Sequence, residues 1–149
     1  MTAVRESIEI DCPPEQVFAY VTDASHLPEW QESAVEAHRI GDAPVSPGSR
    51  AEVTRRIGRR EMPMKLEYAE VDAPRSWFVR GVEGPVRPQV HGTVEPLDEG
   101  RRSRLTLDID FEGHGMGKML VPLVVRPHMR KEVPRNERKL KDLLEQRAA

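Results

Sequence analysis

Residues 117–146 place the tightest restriction on the fold. Their apolar members are Met119, Leu120, Leu123, Val124, Val133, Leu140, Leu143 and Leu144. Most of these recur three, four or seven positions apart, which predicts one greasy stripe on one helix from Gly117 to Gln146. Arg126, Arg130, Lys131, Glu132, Arg135, Glu137, Arg138, Lys139, Lys141 and Asp142 then form a charged opposite face. At about 1.5 Å per residue such a helix runs roughly 45 Å. It therefore needs a broad apolar surface to lie against. Pro122 fits a first helical turn, where its missing N–H costs little. Pro127 and Pro134 each remove a backbone hydrogen bond inside the helix. Two readings follow: a kink that bends the helix around its support, or weakened turns that let a ligand enter beneath it.

The rest of the chain supplies strands. Val4 to Asp11 alternates, with Ile8 and Ile10 on one face. Cys12-Pro13-Pro14 ends it, and Pro14 opens a helix to about Thr22 with Val17, Phe18 and Val21 on one side. His26 to Gln31 reads as a short second helical turn. Strands are expected over Ser33–Arg39, Arg50–Ile57, Glu61–Val71, Ser76–Val82, Val86–Pro96 and Arg104–Phe111. Short turns join most of them, Gly58-Arg59-Arg60 among these. The last strand alternates most cleanly, with Leu105, Leu107, Ile109 and Phe111 inward. Short connections make the sheet antiparallel, and its apolar face needs a cover. The terminal helix is the one element large enough. The expected fold is α+β: a curved antiparallel sheet wrapped around a long C-terminal helix, with two short helices after the first strand. One domain, residues 1–149, accounts for the length.

Charge and cysteine usage narrow the function. The net charge of −2 predicts no general attraction to nucleic acid. From Arg126 to Arg147, eight Arg or Lys face four Asp or Glu. This surplus marks a solvated helix face or a patch for an anionic partner. Cys12 is the one cysteine, so no intrachain disulfide or thiolate metal cluster is expected. Reduced cytoplasm fits this, as does an N-terminus without a signal peptide's apolar core. No stretch approaches the roughly 20 apolar residues of a membrane span, so no integral membrane association is expected.

Several segments together resemble a known family. They are Ile8-Glu9-Ile10, Pro14 through Asp23, Pro28-Glu29-Trp30, Gly81, Gly84-Pro85, Glu95-Pro96, Arg104-Leu105-Thr106, Pro122, Arg130, and Asn136 to Glu145. This set is similar to the polyketide cyclase/dehydrase branch of the START-like, helix-grip superfamily, also called SRPBCC, over nearly the whole chain. The resemblance implies a helix-grip fold with a cavity between sheet and helix. In such families the cavity serves lipid transport, hormone or polyketide binding, or aromatic-ring cyclisation, so the fold does not settle the function. Gly92 stands where the family commonly carries a bulky residue, which is expected to enlarge the pocket.

No phosphate loop, nucleophile elbow or metal-ligand pair at helical or strand spacing is present. The expected ligand-binding residues are Trp30, Val53, Arg55, Met62, Met64, Leu66, Trp77, Val79, Val90, Gly92, Leu107, Met119, Leu123 and Val124. Methionines adapt to varied apolar shapes, and the two tryptophans suit a flat or branched molecule. Arg55 falls between Val53 and Ile57 on an apolar face. It sits either at an exposed rim or in the interior, where it would meet a ligand carboxylate or enolate. His91 is expected outside the pocket, though a register slip of one residue would turn it inward as an acid or base on a carbonyl compound, and His128 is expected as a satisfied structural residue. No catalytic residue, cofactor or metal is assigned. The leading expectation is a monomer or weak homodimer that binds a lipid, polyketide or isoprenoid-like molecule. A cofactor-independent cyclase, dehydratase or isomerase, and a protein-interaction module using the basic helix face, remain as alternatives.

Overall fold

The computed structural model describes residues 3–148, without the side chain of Ala148. β1 is Val4–Ile10, α1 Pro14–Thr22, α2 Leu27–Trp30, β2 Ala34–Ile40, β3 Arg50–Ile57, β4 Arg60–Asp72, β5 Ser76–Glu83, β6 Val86–Leu97 and β7 Arg102–Gly113. A single 3-10 turn, Ala24–His26, precedes α2. The chain ends in α3 Gly117–Leu120, a π-helical turn Val121–Val125, and α4 Arg126–Ala148, which follow without a break. All seven strands form one antiparallel sheet in the order β1-β7-β6-β5-β4-β3-β2. The sheet curls about the long C-terminal helix, which is the helix-grip arrangement.

Period-two patterning sets the inner face of the sheet. Leu105, Leu107, Ile109 and Phe111 of β7 are buried, as are Met62, Met64, Leu66 and Tyr68 of β4. The register places Val90 opposite Ile109 and Val94 opposite Leu105. Pro14 begins α1 at a position that needs no N–H, and Val17, Phe18 and Val21 turn inward. Tyr68 fixes the end of α1 by donating its hydroxyl hydrogen to the carbonyl of Thr22 at 2.7 Å.

The helix presents a different face from the one its spacing suggested. Val121, Val125, Met129, Val133, Leu140 and Leu144 are buried. Met119 and Leu123 are 68% and 70% exposed, and Val124 also faces outward. From Met119 to Val125 the sequence is apolar on every side, so spacing there favours no face. A proline ring crowds the carbonyl four residues earlier, and a π turn widens the coil just before Pro127, where that crowding arises. Glu132 and Glu137, expected on the solvated face, are buried at 0% and 2% exposure.

Two glycines permit close approaches. A Cβ on Gly117 would lie 1.7 Å from the carbonyl oxygen of Pro85, so the start of the helix seats directly on the β5–β6 turn. A Cβ on Gly92 would lie 2.2 Å from the Trp77 ring. Trp77 and Gly92 are paired across β5 and β6, and the indole fills the place of the missing side chain. Gly92 therefore houses Trp77 and does not enlarge the cavity.

Candidate functional site

A cavity lies between the inner face of the sheet and the long helix. Leu66 and Tyr68 of β4, Trp77 and Val79 of β5, Pro88 and Val90 of β6, and Leu107, Ile109 and Phe111 of β7 form its floor and walls. Met129, Val133 and Asn136 of α4 cover it, and Val21, Leu27 and Trp30 close one side. Gln31 and Arg55 complete the lining. Its volume is about 70 Å³. Phe18 packs edge-on against Trp77, with ring centroids 5.8 Å apart, and holds that indole in place.

Seven of the fourteen expected site residues meet here: Trp30, Arg55, Leu66, Trp77, Val79, Val90 and Leu107. Val53, Met62 and Met64 are buried but do not line the cavity. Gly92 lies beneath Trp77. Met119, Leu123 and Val124 point to solvent on the outer side of the helix. The spacing of Met129 and Val133 by four was visible in the sequence, but it competed with the all-apolar run before it. Gln31 and Asn136 carried no comparable signal, because isolated amides in a sequence read as surface.

One end of the cavity is polar. Arg55 is half-buried and donates to Gln31 Oε1 at 2.6 Å and Ser33 Oγ at 3.0 Å. Ser33 in turn donates its hydroxyl and its backbone N–H to Glu132 Oε2, at 2.9 and 3.2 Å. Asn136 Nδ2 donates to the same oxygen at 2.8 Å, and His128 Nε2 to Glu132 Oε1 at 2.9 Å. Burial alone would raise the Glu132 pKa. The hydrogen bonds from Asn136 and Ser33, with the charge of Arg55, outweigh it and hold the carboxyl below its ordinary value. Burial lowers the Arg55 pKa, and Glu132 opposes that change. The two ions thus belong to one buried, hydrogen-bonded network. Arg55 is neither an exposed rim residue nor an uncompensated cation.

The other titratable groups lie elsewhere. His91 is exposed and stacks on Phe78 with ring centroids 4.2 Å apart, outside the cavity. Tyr68 lines the cavity, but its hydroxyl is bonded to Thr22 and burial raises its pKa. Among the described residues no three His, Cys, Asp or Glu side chains come together to hold a metal ion. Among the described residues no helix is long and apolar enough to cross a membrane.

Residues 1–145 match the family described as polyketide cyclase / dehydrase and lipid transport. The chain belongs to that family. No curated protein sequence matches it. Among solved structures, the fold is similar to TTHA0849 of Thermus thermophilus, with a TM-score of 0.79 and 19% identity over 98% of this chain and 99% of that one. It is also similar to the Zhui aromatase/cyclase of Streptomyces sp. R1128, with a TM-score of 0.74 and 16% identity over 98% and 94% of the two chains. A START superfamily protein of Mycobacterium smegmatis gives a TM-score of 0.68 and 17% identity over 97% and 94%. At these identities the likeness is one of fold. Membership of a family of cyclases, dehydrases and lipid carriers supports a hydrophobic-ligand-binding or cyclase role.

Proposed function

We propose that the protein binds a hydrophobic small molecule, of lipid, polyketide or isoprenoid type, between its sheet and its C-terminal helix. The observation that carries this reading is the lining itself. Aliphatic and aromatic side chains from four strands and three helices converge on one space between sheet and helix. Such a site, with few polar groups at one end, is the usual form of a small-molecule pocket. Its volume is below the roughly 300–1,000 Å³ of ordinary ligand sites. A long or multi-ring ligand therefore enters only if Trp77, Met129 and the helix move apart. Methionine at the helix face suits that adjustment.

A binding role is favoured over catalysis by the state of the titratable lining groups. Among the described residues these are Arg55 and Tyr68, and both are engaged in internal hydrogen bonds. Neither is poised to move a proton. Native mass spectrometry of the purified protein, followed by thermal unfolding with a panel of fatty acyl, isoprenoid and aromatic polyketide compounds, tests the reading. A co-purified apolar molecule, or a rise in Tm with added ligand by mass action, is expected. No retained molecule and no shift across the panel would remove the proposal.

A further inference from the structure

Each side-chain acceptor at the polar end of the cavity already takes at least one hydrogen bond. Gln31 Oε1 and Ser33 Oγ take the Arg55 guanidinium. Both Glu132 oxygens are bonded, and Asn136 Oδ1 accepts the backbone N–H of Glu32 at 3.0 Å. Donors are what remain. Trp30 is 3% exposed and lines the cavity, yet its Nε1–H has no acceptor among the described residues. Gln31 turns its oxygen to Arg55, which leaves its NH₂ group without a hydrogen bond among the described residues. A buried donor without an acceptor is costly and rare in native proteins.

Charge is balanced where hydrogen bonding is not. Arg55 and Glu132 share Ser33 as a bridge, so one positive and one negative group cancel inside the same network. A ligand carboxylate placed here would add a second buried anion close to Glu132, and among the described residues no Lys or Arg besides Arg55 lines the cavity to meet it. A carbonyl oxygen supplies the missing acceptor and brings no charge.

Taking the cavity as an apolar ligand site, we propose that its polar end selects a neutral oxygen acceptor, the carbonyl of a ketone, quinone or ester, held by Trp30 Nε1–H and the Gln31 amide. The apolar remainder of the ligand then lies along Trp77, Val79, Val90 and Leu107. The same arrangement disfavours free fatty acids and other carboxylates. Arg55 acts as a positioning residue that fixes the Gln31 amide.

Three probes of one shape separate these cases: ethylbenzene without an acceptor, acetophenone with a neutral one, and benzoate with a charged one. Titration followed by NMR gives the affinities, and the Trp30 indole N–H resonance reports the bond itself. Acetophenone is expected to bind about 3–10-fold more tightly than ethylbenzene, the worth of one hydrogen bond. Benzoate is expected to bind more weakly than either. The Trp30 indole resonance should move downfield with acetophenone and stay in place with ethylbenzene, a readout that needs no variant. In Trp30→Phe the preference for acetophenone should vanish while ethylbenzene binding persists. Equal binding of ethylbenzene and acetophenone, an unmoved indole resonance, or tightest binding by benzoate would overturn the neutral-acceptor proposal and leave the apolar-ligand reading standing. Binding by none of the three would overturn both.

Discussion

Glu137 shows how one side chain shapes the behaviour of the fold. It is buried on α4, and its Oε2 has no hydrogen-bond partner among the described residues. Burial, with the nearby Glu6 carboxylate on the inner face of β1, pushes its pKa up to about 8. The folded protein therefore keeps a proton that the unfolded chain releases near pH 4.5. Between these values the folded state binds more protons than the unfolded one, so stability falls as pH rises. The contribution is complete below about pH 4.5 and is lost by about pH 8. Glu137→Gln should flatten this slope and be more stable than wild type at pH 8 by on the order of 2 kcal/mol. Urea unfolding at pH 5 and pH 8 measures it, and parallel losses in the two proteins would contradict the assignment. Nothing in the sequence marked Glu137 as buried, because a glutamate beside Asn136 and Arg138 reads as part of a charged face. Glu132 was hidden for the same reason. Its partner Ser33 lies 99 residues away, and only the folded chain brings a serine, an asparagine and an arginine to it.

At the scale of elements, legibility followed chemical contrast. β7 alternates apolar and polar residues, and its inward face was read correctly from Leu105 to Phe111. The hairpin of β3 and β4 was plain from Gly58-Arg59-Arg60 for the same reason. The start of the C-terminal helix has no such contrast. Met119, Leu120, Val121, Leu123, Val124 and Val125 surround the axis, and the π turn then decides which of them face the sheet. Half of the expected site residues thus line the cavity: Met119, Leu123 and Val124 miss it where local pattern is uniform, Val53, Met62 and Met64 are buried but lie away from it, and the amides Gln31 and Asn136 read as surface. Pro134 belongs to this scale too. It lies inside α4 next to the cavity-lining Val133 and leaves the Arg130 carbonyl without its intrahelical donor. Pro134→Ala should stabilise the protein by about 1–3 kcal/mol. It should also slow ligand association and dissociation together, with little change in affinity, since the cavity must widen for both. Stopped-flow exchange of a fluorescent ligand measures the rates. Unchanged rates in a folded, stabilised variant would make the proline a matter of helix shape alone.

For the whole molecule, the order of strands and helices was legible because each layer must bury what the other exposes. A long amphipathic helix requires a sheet, and a run of short-linked strands requires a cover. The cavity was legible only as an expectation, since its size depends on how Trp77, Met129 and Arg55 pack. The central claim is that an apolar ligand occupies that cavity. Val90 is half-buried and lines it from β6, so Val90→Phe places a ring in the space the ligand would take. The most direct test is the ligand-induced rise in Tm of wild type and Val90→Phe with the same apolar compound. Wild type should show a clear rise and the filled variant none. An equal rise in both would place the ligand elsewhere and contradict that claim.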